Sequence, residues 1–314
     1  INLMSEFGAY FIRKNKFNFP LKLISTDMPV GINYNAGVSA QLKSAVIFAG
    51  LNSFGNTKIF ESKRSRDHTE NLLARNPQAI KITNVKKKLI TISGKKYLNP
   101  LTISIPGDPS SAAFFTALTL LNKNSTLKIT NVGLNPTRIG FYQLLKKFGA
   151  KISFQNLKKS NNEISGNVIV RSSLIKPIKA SKEFYVKSTD EYPILFVIAA
   201  LTKGISVFRG IDDLANKESN RVKEMQKILK QIGIFTKYSN DKLLIKGNKI
   251  DLKNIQKVKV PALGDHRICM SAAIFGLLSG SEVQIKNFET VGTSSPNFLK
   301  IVKQLGGVFE KKEL

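Results

Sequence analysis

Cysteine, histidine, tryptophan and long apolar runs are scarce in this sequence, and each scarcity excludes something. A single cysteine, Cys269, in 314 residues leaves no internal disulfide framework and points to a reducing compartment. The two histidines, His68 and His266, lie far apart, and no Cys/His cluster has metal-ligand spacing, so no metal is expected. No apolar run approaches the roughly 18 residues needed to span a bilayer, and no membrane partner is expected. The opening INLMSEFG has neither the basic nor the apolar region of a signal peptide, and the expected location is cytoplasmic. Acidic residues are also few: 21 against 49 basic ones, for a formal net charge of +28. Such a balance invites a nucleic-acid reading. The lysines, however, are spread along the whole chain, tryptophan is absent, and no basic run interleaves with aromatic stacking platforms. The charge reads as a lysine-rich solvated surface, with no nucleic-acid partner expected.

What is present is a globular composition, 42% hydrophobic, on a chain long enough for two cores. Its strongest feature is internal self-similarity. Four stretches open on a polar cluster and continue as an apolar, small-residue helix: SAQLKSAVIFAGLNSFG, GDPSSAAFFTALTLLNKN, TDEYPILFVIAALTKG and GDHRICMSAAIFGLLSG. None has a clean polar face, so all four are expected to be largely buried. A strand-like segment follows each: TKIFES, STLKITNV, ISVFRG and EVQIKNF. Next come second helices, in RDHTENLL, NPTRIGFYQLLKKFGA, KESNRVKEMQKILKQIG and SPNFLKIVKQLGG, patterned as half-exposed helices. Three of these end on glycine and run into a further expected strand, FGAKISF, IGIFTKY and LGGVFEK. The connecting LKLISTDMPVGINYNAG, KKKLITISGKKYLNPLTISIP and SGNVIVRSSL read as turns and extra strands. The starts at Ser39, Gly107, Thr189 and Gly264 recur about every 70 to 80 residues, one α/β unit each. INLMSEFGAYFIRK matches only the tail of such a unit, so the chain is expected to be N-terminally truncated. The expected domains are residues 1–104, a partial first lobe, and 105–314, a second lobe of three α/β repeats.

Chemistry concentrates between Ser188 and Arg221. Asp190 and Glu191 precede the apolar run PILFVIAAL, and Lys217, Glu218 and Arg221 open a charged helix. Cations and acids thus gather at helix starts, where unpaired N–H groups and the positive dipole end also favour anions. A doubly anionic substrate needs that combination, while a solvated helix start with i,i+4 pairing is the commoner role of such residues.

Nine motifs, in order along the whole chain, resemble those of the 5-enolpyruvylshikimate-3-phosphate synthase (3-phosphoshikimate 1-carboxyvinyltransferase) family. They are SAQLKSA, SRDHTENLL, PGDPSSAAF, NPTRIG, RSSLIK, DEYPIL, KESNR, GDHRICM and TSSPNF. The resemblance implies an α/β fold of two lobes built from repeated small units, an inside-out α/β barrel with the first lobe incomplete. It implies transfer of the enolpyruvyl group of phosphoenolpyruvate to the 5-hydroxyl of shikimate 3-phosphate with release of phosphate, without a cofactor. It also implies a monomer whose partners are those two small molecules. The hydroxyl must lose a proton while the methylene of phosphoenolpyruvate gains one, so an acid and a base must be held apart.

By the same resemblance Ser39, Gln41 and Arg66 match contacts to shikimate 3-phosphate, with Gln41 also reaching phosphoenolpyruvate. Asp190 matches the carboxylate on the attacking hydroxyl, Lys217 a lysine touching both substrates, and Glu218 the acid/base at the methylene. Arg221 and Arg267 match two arginines that clamp phosphoenolpyruvate, where a planar fork suits carboxylate and phosphate. Ser39 and Asp190 also read as plain helix caps. His68, His266 and Cys269 read as structural. The sequence departs from the family at Asn220, usually aspartate, at Ser295, commonly an aromatic, and at Thr293, where some members place a lysine. The family's early lysine–serine–arginine motif and glycine-rich turn have no counterpart here. Two alternatives stand beside this reading: a UDP-amino-sugar enolpyruvyl transferase, disfavoured by RDHTE and KES-x-R, and a non-catalytic basic protein that binds polyanions.

Overall fold

The computed structural model describes residues 1–15, 18–84, 88–248 and 257–312. They divide into two compact units, Ile1–Ile105 with Lys159–Glu163, and Pro106–Lys158 with Ile164–Leu314.

The first unit begins with α1 (Asn2–Glu6) and an antiparallel hairpin of β1 (Tyr10–Asn15) and β2 (Asn18–Ile24). One complete α/β repeat follows: β3 (Asn33–Ala36), α2 (Ala40–Asn52), β4 (Asn56–Glu61), α3 (His68–Leu73), β5 (Ile80–Asn84) and β6 (Lys88–Ser93). Its sheet has the order β3-β4-β6-β5, with β3 and β4 parallel across α2 and the rest antiparallel. Val46, Ile47, Ile59, Ile90 and Ile92 form the core between helix and sheet.

The second unit holds three versions of the same arrangement. The first is α4 (Pro109–Leu121), β7 (Thr126–Gly133), α5 (Gly140–Lys147), β8 (Lys151–Ser160) and β9 (Glu163–Arg171). The second runs through β10 (Lys179–Ala180), α6 (Tyr185–Ser188), α7 (Tyr192–Ala200), β11 (Gly204–Arg209), α8 (Arg221–Lys230), β12 (Phe235–Ser239) and β13 (Lys242–Gly247). Its sheet order, β10-β11-β13-β12, repeats that of the first unit. The third is β14 (Val258–Val260), α9 (His266–Ser279), β15 (Val283–Ile285) and α10 (Phe298–Gln304). Helices α4, α7 and α9 pack against one another, and every residue of α7 is buried.

Local chemistry fixes these helix ends. Asp108 caps α4, accepting from Ser111 N at 2.9 Å, with Pro109 at the first helical position, where its missing N–H costs nothing. Asn220 caps α8 through Lys223 N at 3.0 Å, and Asp265 caps α9 through Arg267 N at 3.0 Å. Gly280 ends α9 in the left-handed conformation, φ 71°, which glycine adopts without strain.

Three expectations need correction. LGGVFEK forms no strand over residues 305–311, and LTISIP forms none either. A strand needs a partner to take its ladder bonds, and neither segment is paired with one among the described residues. Helix α2 is not buried all round like its three counterparts: Leu42 is 50% and Phe48 55% exposed.

Candidate functional site

In the second unit the sequence from three separate repeats brings acids and arginines to one place. Each buried helix carries an aspartate at or just before its start, Asp108 for α4, Asp190 for α7 and Asp265 for α9. Arginines lie between them. Arg138, from the NPTR turn before α5, donates from Nη1 to Asp190 Oδ2 at 3.1 Å. Its Nη2 donates to Asp108 Oδ1 and to Ser110 Oγ, both at 2.8 Å. Arg221, first residue of α8, donates from Nε to Asp265 Oδ2 at 3.0 Å and pairs with Glu218 Oε2 at 2.5 Å. Arg221 Nη1 lies 3.8 Å from Asp190 Oδ1, and Arg267 Nη2 lies 3.9 Å from Asp190 Oδ2. Ser219 Oγ adds a bond to Asp265 Oδ2 at 2.8 Å.

The charges set one another's protonation. Burial pushes the Asp265 carboxyl up, and the Arg221 guanidinium with Ser219 and the Arg267 N–H more than offsets it, leaving it below its ordinary value. Asp108 is lowered in the same way, chiefly by Arg138 acting against burial. Glu191 goes the other way. Fully enclosed, it is raised by burial and by neighbouring Asp190 despite Arg138, with Oε1 accepting from Ser110 Oγ. Burial and the Arg267 charge lower His266, so its ring is favoured neutral.

Of the residues singled out in the sequence, Asp190, Glu218, Arg221 and Arg267 therefore meet in one cluster. Lys217 is turned to Asp213, Nζ to Oδ2 at 2.6 Å, and Tyr185 Oη donates to the same carboxylate at 2.6 Å. Arg267 Nε is buried without a hydrogen-bond partner among the described residues. Asn220 acts as a cap, which an aspartate would do equally well. Its amide leaves the Arg221 end of the cluster with one negative charge fewer. Ser39, Gln41 and Arg66 belong to the first unit.

There Ser39 caps α2, Oγ accepting from Leu42 N at 3.3 Å. Gln41 is exposed and Arg66 half-buried. Beneath them lies a closed square of charge. Lys43 Nζ, with a side chain 0% exposed, pairs with Glu61 Oε1 at 2.9 Å and Glu70 Oε1 at 2.7 Å. Lys88 Nζ meets Glu61 Oε2 at 3.1 Å and Glu70 Oε1 at 2.9 Å. Glu61 Oε1 also accepts from Ser65 N at 2.9 Å and Ser65 Oγ at 2.7 Å, fixing the turn next to Arg66. A cavity of about 440 Å³ opens beside this square, with Arg64 and Asp67 also in its wall.

Asp108, Ser110, Arg138 and Asp265 were not singled out in the sequence. The recurring aspartate at each apolar helix start was the available signal. No group of His, Cys, Asp and Glu among the described residues has metal-binding geometry. No helix there is long and apolar enough to cross a membrane.

A family model described as EPSP synthase (3-phosphoshikimate 1-carboxyvinyltransferase) matches residues 3–302. The 3-phosphoshikimate 1-carboxyvinyltransferase of Zymomonas mobilis is 36% identical over 312 residues, covering 98% of this chain and 69% of the relative. That of Petrotoga mobilis is 36% identical over 313 residues, again covering 69% of its length. The solved EPSP synthase of Acinetobacter baumannii superimposes with a TM-score of 0.80 at 30% identity, covering 96% of this chain and 69% of that one. The enolpyruvyl transferase NikO of Streptomyces tendae shares the fold, with a TM-score of 0.69 at 14% identity.

Proposed function

The chain belongs to the EPSP synthase family, and on that premise we propose that its enolpyruvyl transfer runs through Asp190, Glu218 and Lys217. The reaction carries the enolpyruvyl group of phosphoenolpyruvate to the 5-hydroxyl of shikimate 3-phosphate in the shikimate pathway, releasing phosphate. In this reading Asp190 takes the hydroxyl proton as the new C–O bond forms. Glu218 gives a proton to the methylene carbon. Because the product keeps its double bond, the methyl group so formed must lose a proton as the C–O bond to phosphate breaks, and Glu218 takes that proton up. Separate groups for the two transfers keep each near the atom it serves.

Arg221 and Arg267 hold the carboxylate and phosphate of phosphoenolpyruvate, charge-assisted contacts that strengthen where water is excluded. Lys217 leaves Asp213 to reach both substrates. Ser39, Gln41 and Arg66 bind shikimate 3-phosphate, and Gln41 also touches phosphoenolpyruvate. The protein works in the cytoplasm as a monomer on these two small molecules. One observation carries the assignment of roles: Asp190, the Glu218–Arg221 pair and Arg267, from three separate stretches of the sequence, share one ion-pair cluster.

Phosphate release from phosphoenolpyruvate, measured with and without shikimate 3-phosphate, tests the reading. Release is expected only with shikimate 3-phosphate, and Glu218→Gln and Lys217→Met each reduce it at least about a hundredfold. Undiminished turnover in both variants would overturn the roles given to these side chains.

A further inference from the structure

We propose that Arg138 is the positioning residue for Asp190, setting the direction and basicity of the carboxylate that takes the hydroxyl proton. The proposal rests on the functional reading above. Its first support is the rigidity of the side chain's own base. Asn135 Oδ1 accepts from Thr137 N at 2.8 Å and Thr137 Oγ1 at 2.7 Å, and Arg138 N donates to Asn135 O at 2.8 Å. Such a turn locks the backbone from which the arginine extends.

The second support is the fork. The guanidinium reaches Asp190 from Nη1 and Asp108 with Ser110 from Nη2, tying the α7 entry to the cap of α4. Arg138 is 8% exposed, and its Nη1 and Nη2 are engaged by protein groups, so it acts on the reaction through Asp190. Arg221 and Arg267 stand farther from Asp190, at 3.8 and 3.9 Å, beyond hydrogen-bond reach. Both also have anions of their own kind to serve in the functional reading, whereas Arg138 has none. When those two turn to substrate, Arg138 remains on Asp190.

Charged neighbours of Asp190 from several elements enter the balance. Arg138 faces it from the NPTR turn, Arg221 from α8 and Arg267 from α9. Glu191 lies beside it, and Asp108 shares Arg138 from the α4 cap. Burial pushes the Glu191 carboxyl up against the pull of Arg138, and the Arg138 charge is shared among Glu191, Asp108 and Asp190. A carboxylate so held keeps its charge and its orientation before the hydroxyl arrives.

The experiment compares Arg138→Gln, Arg138→Lys, Asp190→Asn and the double variant Arg138→Gln/Asp190→Asn with the unaltered protein. Steady-state phosphate release is followed across pH, with a thermal melt for each protein. Arg138→Gln is expected to lower kcat by on the order of tenfold to a hundredfold, with both KM values changed less than about threefold. The acid limb of its kcat/KM profile moves to higher pH, because a cation is lost beside the carboxylate. Arg138→Lys restores part of the rate, and Arg138→Gln adds no further loss once Asp190 is Asn.

A loss expressed in KM alone, or independent additive losses in the double variant, overturns the proposal. If Arg138→Gln does not fold, Arg138→Lys carries the same tests, with a smaller fall in kcat. If the unaltered protein releases no phosphate, the functional reading fails. Carboxyl 13C titration of Asp190 then decides the pairing by itself: an unchanged titration midpoint in Arg138→Gln, or in Arg138→Lys if the former is unfolded, overturns it.

Discussion

Asp265 shows how strongly one side chain of the cluster bears on stability. Its side chain is 0% exposed and that of Arg221 1%. Replacing one partner of a buried ion pair leaves the other charged in a poor solvent, at a cost of ~3–5 kcal/mol. Arg221 keeps its Glu218 partner, so Asp265→Asn is expected to destabilise the protein by less than that amount near pH 7, read from denaturant melts. Its pH dependence has a definite sign. The folded carboxyl is held below its ordinary value, so its contribution is full above the unfolded pKa of about 3.9 and disappears as pH falls through the folded value. The gap between Asp265→Asn and the unaltered protein should close on acidification below about pH 4; a gap constant from pH 7 to pH 3 would remove the charge from the explanation. At this scale the sequence was legible only in part. Asp190, Glu218, Arg221 and Arg267 lie in motifs that resemble a family, and the cluster contains all four. Asp108, Arg138 and Asp265 lie in such motifs too, but their pairings are made by folding, across gaps of 30, 52 and 44 residues, and local pattern does not report them.

Helices and strands repeat a packing device as well as a pattern. Gly94, just after β6, has space for no Cβ, which would lie 1.8 Å from Ser53 O at the end of α2. Gly247, at the end of β13, stands in the same relation to α7, where a Cβ would lie 2.1 Å from both Ala199 O and Thr202 O. The obstacle is backbone in each case, which cannot turn aside as a side chain could. Neighbouring ladders depend on these approaches: Lys95 N donates to Leu51 O at 2.9 Å, and Asn248 N to Ala200 O at 3.0 Å. Gly94→Ala and Gly247→Ala are each expected to cost ~1–3 kcal/mol by overpacking. Calorimetric melts would check this, and an unchanged midpoint in both would show that the helix ends yield. The helices themselves were legible, since polar caps followed by apolar small-residue runs announce their starts. LGGVFEK and LTISIP were not, because period and β-branched residues mark a possible strand while only a neighbour makes one.

The two units differ in how completely they bury helices of one composition. In the second unit α4, α7 and α9 enclose one another, and their apolar residues join a continuous core. In the first, α2 has the same small-residue character but meets the sheet with Val46 and Ile47 only on one side. Leu42 and Phe48 stand in solvent on another, with Ala45 half-buried between them. The spacing of three residues puts all three on one stripe. An apolar stripe in water favours association and contributes nothing to folding, whereas the charged square of Lys43, Glu61, Glu70 and Lys88 holds the same helix from beneath. Local stability follows buried apolar contact, so amide exchange should separate the helices. The α7 amides are expected to exchange by the slowest openings and those of α2 faster. Leu42→Gln/Phe48→Gln should reduce aggregation at high protein concentration, measured by light scattering, while leaving the melting midpoint within about 2 °C, since exposed substitutions change stability by only ~0.5 kcal/mol. A large fall in that midpoint would mean that the stripe is packed in solution, and equal protection of α2 and α7 would say the same by an independent route.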